Sequence, residues 1–222
     1  MRTKALLARI GLYALGLLLM AFGVALSVNS GLGVSPINSL PYVLSLILGV
    51  DLGSCVTGVF CGYILVQIVI LRRKFRLLDL TQLVFSTLFG YFVNLAKWLV
   101  RDWVLPGYPG QLLLLAVSIL FVAAGVGLYM DTRLVNMPME GMTHAISSQL
   151  VHRPFHQVKI VVDCGSVALA AVLSLLFLHR IDGLREGTVL CAVLVAPLMP
   201  WIQKLLRTVF GRWLPAARVA EQ

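Results

Sequence analysis

The chain has 222 residues, of which 59% are hydrophobic and only 12% are charged, and its formal net charge is +9 at pH 7. Soluble globular domains carry about twice that share of charged residues, so the composition excludes an ordinary soluble domain. It indicates an all-α membrane protein, because its apolar runs reach the ~20 residues needed to cross a hydrocarbon core of about 30 Å.

Six apolar runs are predicted to cross the membrane. In chain order they cover residues 10–29, 55–71, 81–100, 111–130, 158–178 and 187–204. The first run is too long for a signal peptide and no small-residue cleavage site follows it, so we expect it to remain as a helix. Little sequence lies between the runs, and we expect no separate soluble domain.

A polar segment containing proline follows the first run and the fourth run. Gly33-Val34-Ser35-Pro36 opens a predicted helix over 36–49, and Asn136-Met137-Pro138 opens another over 138–151. Serine before proline suits a helix start, and Gly49 suits a helix end. At about 1.5 Å per residue neither helix can span the membrane. Each is predicted to be a re-entrant or half helix, with a helix lying flat on the membrane surface as the alternative.

These elements divide the chain into two halves. Residues 1–104 are predicted to form a first repeat and residues 111–210 a second, followed by a basic tail at 211–222. Pro36 and Pro138 lie 102 positions apart, and so do Asn38 and Glu140. Each half has three spans, an odd number, so the second half must enter the membrane from the opposite side. The sequence therefore predicts two inverted three-helix repeats, each with its short helix.

The placement of the basic residues predicts the orientation. Most of the 18 Lys and Arg residues flank one side of the spans, and only Lys97, Arg101, Arg180 and Arg185 fall on the other. By the positive-inside rule both termini are expected in the cytoplasm. The basic residues are expected to contact membrane lipid, and no nucleic-acid partner is expected.

Helix N-termini at membrane depth carry amide donors that can bind a polar solute. The residues predicted to contact such a solute are polar positions at or near the helix starts: Ser35, Asn38, Gln82, Asn136, Glu140 and His144. Four charged residues are predicted to carry a coupling proton or a counter-charge: Glu140, Asp163, Arg185 and Glu186. Two local alternatives stay open, an ion pair of Asp163 with Lys159 and a capping role for Glu186.

Metal, cofactor and enzyme chemistry are not expected. His144 follows Glu140 by four residues and shares its helix face, but two ligands are too few for a metal site. The four cysteines, Cys55, Cys61, Cys164 and Cys191, lie in apolar segments without a CxxC pair, which favours a packing role. No set of nucleophile and base is evident either.

Three segments resemble the YitT/YczE-type small bacterial membrane proteins: Gly33-Val34-Ser35-Pro36, Pro138-Met139-Glu140-Gly141 and Arg185-Glu186-Gly187-Thr188. The resemblance covers nearly the whole chain and implies a six-helix protein of the bacterial inner membrane. Many members of that group carry Asp near the position of Asn38 and Arg at that of Met139. The activity of the group is not settled, so the resemblance implies fold and location more than function.

The leading functional prediction is a small secondary transporter or exporter of a small polar solute, bound between the two short-helix N-termini. The alternative is a substrate-capture membrane subunit that works with a separate energising complex. A second copy of the chain is the alternative to an energising complex as partner. So few helices make a thin wall around a pathway, which favours a homodimer.

Overall fold

The computed structural model describes residues 2–75, 77–153 and 155–210, and within these ranges every regular element is helical. The main helices are α1 (Arg2–Ser30), α2 (Pro36–Leu48), α3 (Leu52–Leu71), α4 (Thr81–Leu99), α5 (Gly107–Thr132), α6 (Pro138–Ile146), α7 (Phe155–Leu178) and α8 (Glu186–Phe210). Two 3-10 turns, Arg72–Lys74 and Leu77–Leu80, follow α3, and a π-helical turn, Ser147–Val151, extends α6. The predicted basic tail at 211–222 lies outside the described residues.

Among the residues that the structure describes, four helical segments are long and apolar enough to cross a membrane. They are Leu6–Ser30, Leu52–Lys74, Gly107–Thr132 and Gln157–Leu178, which belong to α1, α3, α5 and α7. The part of the chain that the structure describes is therefore all-helical, with the long apolar helices of a membrane-embedded protein. Helices α4 and α8 occupy the places of the third and sixth predicted runs.

Helices α1 and α5 cross in close contact at glycines. A Cβ atom added to Gly125 would lie 2.5 Å from the Gly16 carbonyl oxygen and 2.6 Å from the Met20 amide nitrogen. A second contact involves Gly23, seven residues after Gly16 on α1. Its carbonyl accepts a hydrogen bond of 2.8 Å from the Ser118 hydroxyl of α5. Small residues let the two backbones approach this closely, which is how helices commonly pack in membranes.

One end of the bundle, which we call the basic end, holds the start of α1 and the ends of α3, α5 and α8. The Arg9 guanidinium donates to the Thr132 carbonyl. The Arg207 guanidinium holds both carboxylate oxygens of Asp131, at 2.7 and 2.5 Å. These contacts make α1 antiparallel to α5, and α8 parallel to α5.

The opposite end, which we call the linker end, holds the loops before α2, α5 and α8. The Asn29 amide donates to the Val100 carbonyl at 2.5 Å, which joins α1 to the end of α4. The loop before α2 is bonded to the loop before α8, since the Val34 amide donates to the Gly183 carbonyl at 3.0 Å. A second backbone bond runs from the Gly187 amide to the Leu32 carbonyl at 2.8 Å.

Helices α2 and α6 both lie between α3 and α7 and run from the interior towards opposite ends. The start of α2 is buried at Pro36 and Asn38, whereas Leu48 at its end is exposed. The Pro138 carbonyl at the start of α6 accepts a bond of 2.9 Å from Gln67, one turn inside the end of α3. The turn after α6 reaches the basic end, where Lys74 donates to Gln149.

Candidate functional site

Glu140 lies in the first turn of α6 and closes the N-terminus of its own helix. Its carboxylate accepts a hydrogen bond from the Tyr129 hydroxyl and a longer one, 3.4 Å, from the Met137 amide. The Tyr13 ring packs edge-on against Tyr129, with 5.7 Å between ring centroids. A half-buried carboxylate therefore sits among aromatic residues of α1 and α5, inside the basic end of the bundle.

Two further charged residues lie beside Glu140, on the first turns of α7. The Lys159 ammonium bonds both oxygens of Asp163, at 2.6 and 2.8 Å, so the local ion pair that the four-residue spacing allows is present. Both side chains are partly buried, and both lie close enough for their charges to act on Glu140. With all three groups ionised, the cluster carries one net negative charge.

Gln82 reaches α6 through another glutamine. The Gln67 side-chain nitrogen donates to the Gln82 oxygen at 3.1 Å and to the Pro138 carbonyl at 2.9 Å. Both glutamine side chains are buried. They form a polar bridge from α4 through α3 to the first residue of α6.

The start of α2 leaves a buried polar atom without a partner. Asn38 is 1% exposed. Its amide nitrogen donates to the Ser35 hydroxyl oxygen at 2.9 Å, but its Oδ1 has no hydrogen-bond partner among the residues that the structure describes. The Ser35 side chain makes no capping hydrogen bond to α2, although its carbonyl accepts one of 2.9 Å from the Asn38 amide. A buried unpaired acceptor costs about 1–3 kcal/mol, which makes this position a candidate for binding.

Two cavities lie at opposite ends of the bundle. The basic-end cavity has a volume of about 530 Å³, and Gln82, Arg133, Val135 and Asn136 are among its lining residues. The linker-end cavity has a volume of about 370 Å³, and Ser27, Gly33, Val34, Tyr42, Asp182 and Arg185 line part of it. Each cavity reaches the segment that directly precedes a short helix.

The remaining predicted residues are more exposed than Glu140. His144 is exposed, and its ring packs edge-on against Phe155. Arg185 and Glu186 are at the linker end, 3.6 Å apart and largely exposed, and Arg185 also donates to the Gly31 carbonyl at 3.2 Å. The structure thus groups Glu140 with Asp163, Gln82 with Asn136, Ser35 with Asn38, and Arg185 with Glu186, rather than all of them in one site.

Several polar residues that contact these groups were not among the predicted site residues. Tyr129 and Gln67 hold α6 directly, and the Tyr63 hydroxyl lies 3.3 Å from the Ser166 hydroxyl, joining α3 to α7 near their middles. Gln67 lies in an apolar run of the sequence. Because polar groups in a membrane span need a partner, this position could have indicated a buried polar contact.

These features define a membrane-embedded helical protein with polar groups buried at the starts of two short helices. In the described ranges, no three His, Cys, Asp or Glu side chains gather as a metal site would require. The chain belongs to a family of unknown function, DUF6198, whose profile matches residues 7–204.

One relative is similar over part of its length. It is the Bacillus subtilis (strain 168) protein named "Uncharacterized protein YyaS", 24% identical over 132 residues, which are 59% of this chain and 64% of that protein. The chain thus matches slightly less than two thirds of the relative. No solved structure matches the chain. Neither match bears on the resemblance to the YitT/YczE group, which stays a prediction.

Proposed function

We propose that the protein is a small secondary transporter or exporter of a small polar solute, without enzymatic activity, in the bacterial inner membrane with both termini in the cytoplasm. The solute would bind between the starts of α2 and α6. Six helices would cross the membrane, α1, α3, α4, α5, α7 and α8, in two inverted repeats. The observation that carries the proposal is the pair of buried helix starts, one with the Glu140 carboxylate and the other with the unpaired Asn38 oxygen.

Contacts at the crossing of α1 and α5 support the inverted repeat. If residues 102 positions apart are equivalent, the contact of Gly125 with Gly16 has Gly23 with Ser118 as its counterpart, and both contacts are present. The approach of Gly125 to the Met20 amide is likewise matched by that of Gly23 to the Val122 amide, at 2.6 and 2.9 Å. An axis relating the halves would pass through this crossing.

The two cavities obey the same relation. Gly33 and Val34 line the linker-end cavity, and their equivalents Val135 and Asn136 line the basic-end cavity. A cavity that precedes a short helix at each end of the bundle suits a protein that opens alternately to the two sides. Inverted repeats with broken helices are a common basis for such transport.

Glu140 supports coupling to protons. It is half-buried, and when it is ionised the group of Glu140, Asp163 and Lys159 carries one net negative charge, which a proton would neutralise. Ionisable groups at membrane depth are costly and generally functional.

Reconstitution into proteoliposomes tests the proposal. Vesicles holding a pH-sensitive dye would be exposed to small amides, alcohols, amines and carboxylates under an imposed pH gradient. We expect solute-dependent proton movement that Glu140→Gln abolishes. The matched control is Asp102→Asn, an acidic residue at the exposed linker, which should keep full activity. Absence of flux for every solute, or unchanged flux in Glu140→Gln, would refute the proposal.

The exposure of α7 favours a second candidate, a capture subunit docked on a separate energising complex. Only 17% of the apolar window of α7 is buried, compared with 61% for α1. That face would contact lipid in a transporter working alone, and a partner complex or a second copy of the chain in an assembly. Native mass spectrometry of the protein in mild detergent would distinguish a monomer, a homodimer and a mixed complex.

A further inference from the structure

We propose that the linker-end cavity binds a small neutral solute through a hydroxyl or carboxamide group, with Asn38, one helical turn from the lining residue Tyr42, as the acceptor. The solute class deepens the proposed transport function and rests on it for its role, but binding itself is measured without transport. The inference depends on the unpaired Asn38 oxygen, on the cavity beside it and on a comparison of α2 with α6.

Asn38 does not itself line this cavity, but it lies on α2 between two residues that do, Val34 and Tyr42. Tyr42 follows it by four residues, so both side chains share one face of α2. Tyr42 and Val34 line the cavity, and Asn38 lies one turn below Tyr42 towards the start of the helix, 1% exposed. A solute that passed between Val34 and Tyr42 would reach this turn of α2, where Asn38 Oδ1 is unpaired.

Helix α6 shows what satisfies such a helix start. There the Tyr129 hydroxyl donates to the Glu140 carboxylate. If residues 102 positions apart are equivalent, Glu140 corresponds to Asn38, and Tyr129 corresponds to Ser27. Ser27 is a small residue that lines the cavity and donates instead to the Gly33 carbonyl at 2.7 Å. The space that a phenol fills beside α6 is thus a cavity beside α2, and the hydroxyl donor is missing from the protein side.

The local chemistry selects a group that both donates and accepts. Asn38 Oδ1 requires a donor, while the Ile37 amide in the first turn of α2 lacks an intrahelical acceptor and the Ser35 side chain does not cap it. The Asn38 amide already donates to the Ser35 carbonyl at 2.9 Å. An anion would meet the Asn38 oxygen unfavourably, and a cation would be opposed by the positive end of the helix. A hydroxyl or a carboxamide carries donor and acceptor side by side.

The charges at the cavity are already compensated. The Asp182 carboxylate bonds Arg180 at 2.6 Å, and the Arg185 guanidinium lies 3.6 Å from the Glu186 carboxylate. The solute therefore needs no charge of its own to balance the cavity.

Thermal unfolding of the full chain in detergent tests the proposal, with acetamide as the probe and acetate and methylammonium as charged comparisons. At ten times its dissociation constant, acetamide should raise Tm by about 3–6 °C. Asn38→Leu should lose this shift without a lower Tm in the absence of acetamide, because it removes the unpaired oxygen. The matched control is Ser45→Ala, on the same helix, which should keep the shift.

A second variant tests the proposal if Asn38→Leu does not fold. Ser27→Tyr combined with Asn38→Glu copies the pair beside α6 into the linker-end cavity, and it should abolish the acetamide shift. An equal or larger shift with acetate, or an acetamide shift that survives both variants, would overturn the assignment. If acetamide shifts Tm through Asn38 but no solute crosses vesicles, the site stands and the transport proposal fails. If flux occurs and Asn38→Leu leaves it unchanged, the transport proposal stands and the assignment of Asn38 to the solute site fails.

Discussion

Replacing Gly125 by alanine is expected to force α1 and α5 apart. The added Cβ would meet three backbone atoms, the Gly16 oxygen at 2.5 Å, the Met20 nitrogen at 2.6 Å and the Met20 Cα at 2.9 Å. Backbone atoms within packed helices cannot rotate away as a side chain can. Restoring the closest contact to an ordinary 3.4 Å requires the helices to separate locally by about 0.9 Å.

The expected cost follows from this overlap. Overpacking a close contact costs about 1–3 kcal/mol. Alanine regains up to about 1 kcal/mol through its higher helix propensity. Gly11 on α1 is the matched control, because a Cβ there would meet nothing within 4 Å. Gly11→Ala should gain the propensity term without the overlap, so the two variants should differ by about 1–3 kcal/mol.

Thermal unfolding of the two purified variants in one detergent measures the difference. At roughly 2–4 °C per kcal/mol for a chain of this size, Gly125→Ala should have a Tm about 2–12 °C below that of Gly11→Ala. Equal Tm values would refute the reasoning, since they would mean that α1 and α5 are not in backbone contact at this position.

Two further predictions concern charged groups. The hydrogen bond from Asn94 holds the pKa of Asp51 below its usual value, so Asp51 stabilises the fold above its unfolded pKa of about 3.9, and the stabilisation is lost as pH falls through the lower folded pKa. Between about pH 5 and pH 2 the Tm of Asp51→Asn should therefore fall less than that of the wild type, and parallel curves would contradict this. Asp131→Asn removes the buried partner of Arg207 and should cost about 1–3 kcal/mol in thermal unfolding, whereas Asp102→Asn in an exposed pair should cost less than about 1 kcal/mol.

The short helices could be read from sequence because their signals are local. Proline at the first helical position and glycine after the last residue constrain the backbone directly, and α2 runs from Pro36 to Leu48 with Gly49 left-handed at φ 65°. The start of α5 was less accessible. Its first residues lie in a segment rich in proline and glycine, which is typical of a loop. The helix nevertheless begins at Gly107, because proline is tolerated in a first helical turn, where Pro109 lies.

The candidate site was only partly predictable, because its partners come from distant helices. The Lys159–Asp163 pair is four residues apart on one helix, so spacing alone indicates it. The bond between Gln67 and the Pro138 carbonyl joins residues 71 positions apart, and no local pattern indicates it. Asn38 was a candidate as a polar residue at a helix start, but its unpaired oxygen depends on where Ser35 and the cavity lie in three dimensions.

The glycine contact of α1 with α5 restricts how these two helices can move relative to each other. Backbones in direct contact cannot slide past one another or approach further, so relative motion is confined to rotation about the crossing, as about a fulcrum. From Met20, α1 extends 18 residues back to Arg2 and 10 residues on to Ser30. From Val122, α5 extends 15 residues back to Gly107 and 10 on to Thr132. These arms are roughly 15–27 Å long, so a rotation of about 10° would displace the helix ends by about 3–5 Å while residues near Met20 and Val122 kept their separation. Spin labels at the ends of α1 and α5 would then report the motion, and labels near the crossing would provide a fixed reference distance.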